Sequence, residues 1–313
     1  DLGAVVITSF AYLFYPSPLM FNVLNLIAGL ITATSIFRIS LFYMDRKYAY
    51  LTALSYGLSS FVIYLYSTGM KETFFVMIIV LSFERLRVFI EKRSFLQLFY
   101  ALTLLSTIMF FRPVVMVMIL FSVFTGFTLS KKKHYYIYII IIFFIAGFIF
   151  LGPNALEIAN SVSTNSEDVA LSQQLTPNLF NYSNAVLASV AGPLPSYLPI
   201  IEREQQAFYS TGLGFRMLLT LFFILGLFLI MRERDIFLVT ISLFTIVEMI
   251  SLATILESFE LRFSTPHYPL VYIISFYYLY RYGQNSVAKR DNKIHFAFKL
   301  GVAILLLGWN LRY

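Results

Sequence analysis

The chain contains no cysteine, a single tryptophan and three histidines in 313 residues, and only 12% of it is charged. Without cysteine there is no disulfide framework, no thiolate nucleophile and no thiolate zinc site. The histidines, His134, His267 and His295, lie too far apart to show metal-ligand spacing. Glycine-rich phosphate loops, dinucleotide fingerprints and Asp-x-Asp pairs are missing too, so nothing in the sequence supports a nucleotide-handling domain. The formal charge of +7 does not point to nucleic acid, because the basic residues come in small clusters between apolar runs and never line one polar face.

What the chain has in excess is apolar surface. It is 59% hydrophobic and 18% aromatic, with 34 Phe and 22 Tyr, and its mean hydropathy is +0.79. A soluble domain of this length would expose large apolar patches with that composition. The sequence therefore predicts an integral membrane protein: an all-α, polytopic transmembrane helix bundle of about ten spans, at about 20 apolar residues each, with one long extracytoplasmic loop. Alternation of the β-barrel kind is absent.

In chain order, residues 4–15 are apolar but too short to span and are stopped by Pro16 and Pro18, which suits an interfacial helix. Spans are predicted at about 19–37, 48–66, 73–89, 95–111, from Pro113 to the Lys131-Lys132-Lys133 run, 135–151, 212–230, 236–255, 266–280 and 296–309. Residues 152 to about 210, rich in Asn, Ser, Gln and Pro, form a loop far longer than an ordinary connection. Three parts follow: an N-terminal transmembrane module (1–151), the loop (152–210) and C-terminal transmembrane helices (211–313). The chain opens at Asp1 with neither Met nor a signal sequence, and a further span is expected upstream of it.

Counting basic residues sets the orientation. All but six of the 23 Lys and Arg fall on one side of the predicted spans; the six are Lys71, Arg112, Arg203, Arg216, Arg262 and Arg312. The crowded side is then cytoplasmic. Asp1, Lys71, Glu72, Arg112, the long loop, Glu257, Glu260, Arg262 and His267 consequently face outward, where one pocket can gather them.

Each has a bland reading beside a chemical one. Lys71-Glu72 sits in a short turn, either simply solvated or offering a carboxylate to an acceptor or metal and an ammonium to phosphate. Arg112-Pro113 follows two phenylalanines on the side where topology asks for no positive charge; the arginine either snorkels to headgroups or binds phosphate bidentately. Glu257 to Pro269 packs two acids, Arg262 and His267 beside a proline-broken helix start, whose backbone groups are open to a ligand or to water. Glu248 lies inside a predicted span, where an acid needs a partner or a wet cavity.

Three stretches, the first running from Asp1 to about residue 39, then YSTGMKETFFVMIIVL with TIMFFRPVVMVMIL, and LRFSTPHYPLVYII, resemble the GT-C superfamily of polytopic glycosyltransferases. The nearest likeness is to bacterial members similar to dolichyl-phosphate-mannose protein mannosyltransferases and the aminoarabinose lipid A transferase. The resemblance covers most of the chain through short, degenerate motifs. It implies inverting sugar transfer from a polyprenyl-phosphate sugar to a lipid, glycan or protein acceptor, at the outer face of what would be a bacterial inner membrane. Asp1 and Glu72 are then the catalytic carboxylate candidates, and Lys71, Arg112, Glu260, Arg262 and His267 bind substrate. No cofactor is required, and a divalent cation is left open. In that family the catalytic acid sits in the first outer loop after an initial span, so Asp1 is either that acid or a second acid of the loop, with the base upstream. A polysaccharide polymerase or ligase uses similar outer arginines and a long loop; a lipid-linked sugar transporter would place its charges at mid-membrane, where Glu248 stands.

Overall fold

A computed structural model describes residues 2–14, 17–67, 71–129, 213–254 and 265–284, together with Phe296, Leu300 and Gly301. The described residues are all-α. Ten helices appear among them: α1 (Leu2–Phe14), α2 (Pro18–Leu41), α3 (Arg46–Gly57), α4 (Ser60–Ser67), α5 (Glu72–Lys92), α6 (Phe95–Ile108), α7 (Pro113–Leu129), α8 (Leu213–Glu233), α9 (Ile236–Thr254) and α10 (Tyr268–Gly283). The loop 152–210 and the predicted sixth span lie outside the described residues, as does nearly all of the tenth.

Local signals place the helix ends. Ser17 caps α2 by accepting from Leu19 N, and Pro18 opens the helix, where its missing N–H costs nothing. Asp45 caps α3 through Tyr48 N at 2.9 Å, and Asp235 caps α9 through Phe237 N and Leu238 N at 3.1 and 3.0 Å. Arg93, with φ of 53°, takes the left-handed conformation that closes α5 before Ser94 starts the next helix. The predicted second span is two pieces, α3 and α4, separated at Leu58-Ser59 and bent by 54°. Gly57 and two hydroxyl residues at 59 and 60 weaken helix propagation there.

The bundle is built around α10, which needs no solvent face over most of its length: Tyr268 to Tyr278 are buried all round. It packs on α8, α3, α9 and α2, so helices from both sides of the long loop share one core, and α7 likewise lies along α9. Glycine allows the closest approaches. A Cβ on Gly226 would stand 2.7 Å from the Ile274 carbonyl oxygen, and one on Gly126 would stand 2.2 Å from Thr240 Oγ1. Several buried hydroxyls are satisfied by their own helices, as Thr32, Ser82, Ser122, Thr240 and Ser275 donate to the carbonyl four residues back. The outer faces stay apolar: Leu26, Leu30, Phe99, Phe121 and Phe228 are all exposed.

Among the described residues α2 alone is, over Leu19–Leu41, long and apolar enough by itself to cross a membrane; α3 and α4 meet the same standard when taken together. Apolar stretches of α6, α7 and α9 are shorter.

Charges collect at the two ends of this bundle. One end joins the end of α2, the start of α3, the end of α5 and the α8–α9 connection. There Arg38 meets Glu84 at 3.3 Å, Arg87 meets Glu91 at 3.7 Å and lies over the Phe42 and Tyr43 rings, Tyr43 donates to Asp235 at 3.0 Å, and Arg281 and Tyr277 both donate to Glu233. Burial, followed by the Asp235 carboxylate, raises the Tyr43 phenol well above its ordinary range, so it remains a donor.

Candidate functional site

At the opposite end, three helices begin close together. Glu72 is the first residue of α5, Arg112 directly precedes Pro113 and α7, and His267 precedes α10, while α9 is ending. Tight backbone bonds hold Arg112 in place: Phe111 N and Arg112 N both donate to Ile108 O, at 3.0 and 2.9 Å. Pro113 then fixes the start of α7. The first turn of α1 leans on the same corner, with Gly3 N donating to Phe110 O at 3.2 Å.

Arg112 Nη2 lies 3.4 Å from Glu72 Oε1, and its guanidinium sits 5.3 Å from the centre of the Phe75 ring. The Glu72 side chain is 7% exposed and that of Arg112 22%. A separation of 3.4 Å is loose for a charge-assisted hydrogen bond, which closes to about 2.8 Å when fully formed. The pair is therefore attractive without a fully closed hydrogen bond. Glu72 also sits in the first turn of α5, where the helix dipole favours negative charge.

The second pair is tighter and deeper. His267 Nδ1 stands 3.0 Å from Glu248 Oε2, with the two side chains 0% and 3% exposed. An acid and an arginine from one half of the chain share this end with an acid and a histidine from the other.

Of the residues singled out from sequence, Glu72, Arg112 and His267 come to this end together, with Lys71 at the cap position of α5. Glu72 is buried helix, where the sequence suggested a turn at the mouth of the bundle: Phe74 N and Phe75 N bond back to Lys71 O and draw it into α5. Asp1, Glu260 and Arg262 lie outside the described residues. Glu248, an acid within a predicted span, joins Glu72, Arg112 and His267 through a pairing that the sequence did not supply: nothing along the chain points to His267, nineteen positions later. The usable signal was that an acid inside a predicted span needs a partner.

Among the described residues no group of three or more His, Asp and Glu is placed to hold a metal ion. The arrangement can instead hold an anion at Arg112, offer carboxylate oxygens to a hydroxyl, and pass a proton between Glu248 and His267. Compared with family models, with curated proteins and with solved structures, the chain matches none.

Proposed function

We propose that this chain is a polytopic membrane glycosyltransferase of GT-C type, moving a sugar from a polyprenyl-phosphate donor to a lipid, glycan or protein acceptor at the extracytoplasmic face. Apolar outer faces and the crowding of basic residues at one end support the membrane setting. The observation that carries the chemistry is Arg112, held loosely by a buried carboxylate at the end with few cations.

In the proposed reaction the acceptor hydroxyl oxygen attacks the anomeric carbon, the carbon–oxygen bond to phosphate breaks with inversion, and the polyprenyl phosphate leaves with the bonding electron pair. The acceptor proton passes to a carboxylate. Arg112, with Lys71 beside it, balances charge on the departing phosphate. Donor phosphate replaces Glu72 as the partner of Arg112, and the released carboxylate becomes the proton acceptor. Binding and base activation are coupled in this way. Asp1 is the second carboxylate candidate; Arg262, Glu260 and His267 complete substrate binding. A carboxylate-bound divalent cation is compatible with the scheme and is not required by it.

The test is sugar transfer by full-length protein in detergent or vesicles. Arg112→Ala should lower turnover by at least about 100-fold while the protein still inserts. Unchanged turnover removes the phosphate assignment. Polymerase or ligase chemistry on the same donor class is distinguished by its product. The buried Glu248–His267 pair favours a second reading, a proton-linked transporter of lipid-bound sugar; flux without covalent product would establish that reading over the enzyme.

A further inference from the structure

Beside the Arg112 site, buried polar groups stand without partners. Asn25 of α2 is fully buried, and neither its Nδ2 nor its Oδ1 makes a hydrogen bond. Thr73, directly after Glu72, is 2% exposed, and its Oγ1 is likewise unbonded.

These groups share one junction. On α2, Phe21 and Gly29 flank Asn25 one turn away on either side, on the same face. Phe21 meets Phe74 of α5 with ring centres 5.9 Å apart, and Gly29 lies against the Tyr66 ring, so close that a Cβ there would be 2.4 Å from it. Asn25 is therefore held at the seam of α2, α4 and α5. On α5, Thr73 lies about three turns before Glu84, on the same line of the helix, and Glu84 meets Arg38 of α2. That line faces α2.

A buried amide with no partner carries the full desolvation penalty of its polar atoms, and a hydroxyl is subject to the same cost. Several buried hydroxyls of this bundle avoid it by bonding to their own helix; Asn25 and Thr73 do not, nor do Ser40, Ser242 and Tyr278, but Asn25 and Thr73 lie on facing helices next to the Arg112 site. The common chemistry of Asn25 and Thr73 is neutral and hydroxyl-seeking: amide donors, an amide acceptor and a hydroxyl, with no charge. We propose that this junction is a carbohydrate subsite, in which Asn25 and Thr73 bind sugar hydroxyls of a donor whose phosphate is held at Arg112. The proposal rests on the reading of Arg112 given above. Glu72 joins the two places, since it touches Arg112 and is followed by Thr73. The junction is closed to the surface, so α4, a short helix set at a bend, moves away from α2 to admit the sugar.

The experiment compares binding of two lipids to purified full-length protein in detergent: polyprenyl phosphate, and the same lipid carrying a hexose. Unchanged protein should bind both, the glycosylated lipid more tightly. Asn25→Leu and, separately, Thr73→Val should weaken the glycosylated lipid roughly three- to tenfold and leave the bare lipid unaffected. Thr73→Val nearly preserves shape, so it decides the matter if the Asn25 variant fails to fold. If both lipids bind equally well and neither substitution separates them, the subsite is wrong while the phosphate site stands. If neither lipid binds the unchanged protein, the reading of Arg112 falls and the subsite with it.

Discussion

The two ends of the bundle use the same kinds of side chain for different purposes. Where Arg38, Glu84, Arg87, Tyr43, Asp235, Glu233 and Arg281 gather, the cations are numerous and partly exposed, and the contacts run between connections and helix caps. Arg38 is 58% exposed and Arg281 35%. These pairs join α2 to α5, the α2–α3 connection to the start of α9, and α8 to α10, and with one partner in water each is worth little beyond fastening that end of the bundle. At the Arg112 end, among the described residues, ionic groups are few and both members of each pair are sheltered, Arg112 at 22% exposure and His267 at 0%, whereas at the other end the buried Glu84 meets an exposed arginine. Burying both members of an ionisable pair is expensive, and under the proposed function that cost is offset by use.

Substitutions can break this contrast. Glu248→Ala would leave His267 buried without its carboxylate. It should cost about 3–5 kcal/mol of stability together with activity, whereas Glu248→Gln, which keeps a hydrogen bond to His267, should cost only about 1 kcal/mol. Comparing thermal unfolding of the two variants checks this; equal, small losses would mean that the pair is no tighter than a rim contact.

At the other end the effects should be smaller and confined to stability. Asp235→Ala removes the cap of α9 and the acceptor of Tyr43, for a loss of about 1–2 kcal/mol with sugar transfer per folded molecule retained. Tyr43→Phe should cost about 1 kcal/mol. Because the Tyr43 phenol loses its proton more readily in the unfolded chain, its contribution is complete below its ordinary value of 10.0 and declines as pH rises beyond it. Stability measured at alkaline pH should therefore fall less steeply for the phenylalanine variant. Arg38→Ala, which leaves the buried Glu84 carboxylate with Arg85 at 4.0 Å, should cost about 1 kcal/mol. A loss of transfer from any of these three, with folding intact, would erase the distinction between the ends.

Much of this layout was legible along the chain. Apolar runs bounded by basic clusters located α2, α5, α7, α8 and α9 closely, and the alternation of those runs put Glu72, Arg112 and His267 at one end. Run lengths determine which end a residue reaches; they do not determine which way its side chain turns about the helix axis. For that reason the pairing of Arg112 with Glu72, and of Glu248 with His267, had to come from packing. The break between α3 and α4 was hidden for a related reason. Gly57 and Ser59 lie in an otherwise apolar stretch, and hydropathy averages over them, while backbone geometry does not. Asn25 was passed over because a single amide in a long apolar helix barely alters its hydropathy, although its burial without a partner is conspicuous in three dimensions.

The claim beneath all of this is that the two ends face opposite sides of a bilayer. The chain has no cysteine, so single cysteines can be introduced without background: Ser67→Cys at the Arg112 end and Lys92→Cys at the other, both at exposed positions. In sealed, right-side-out vesicles a membrane-impermeant maleimide should label position 67 at once and position 92 only after the vesicles are opened. Labelling of both from the outside, with the vesicles intact, would contradict the account.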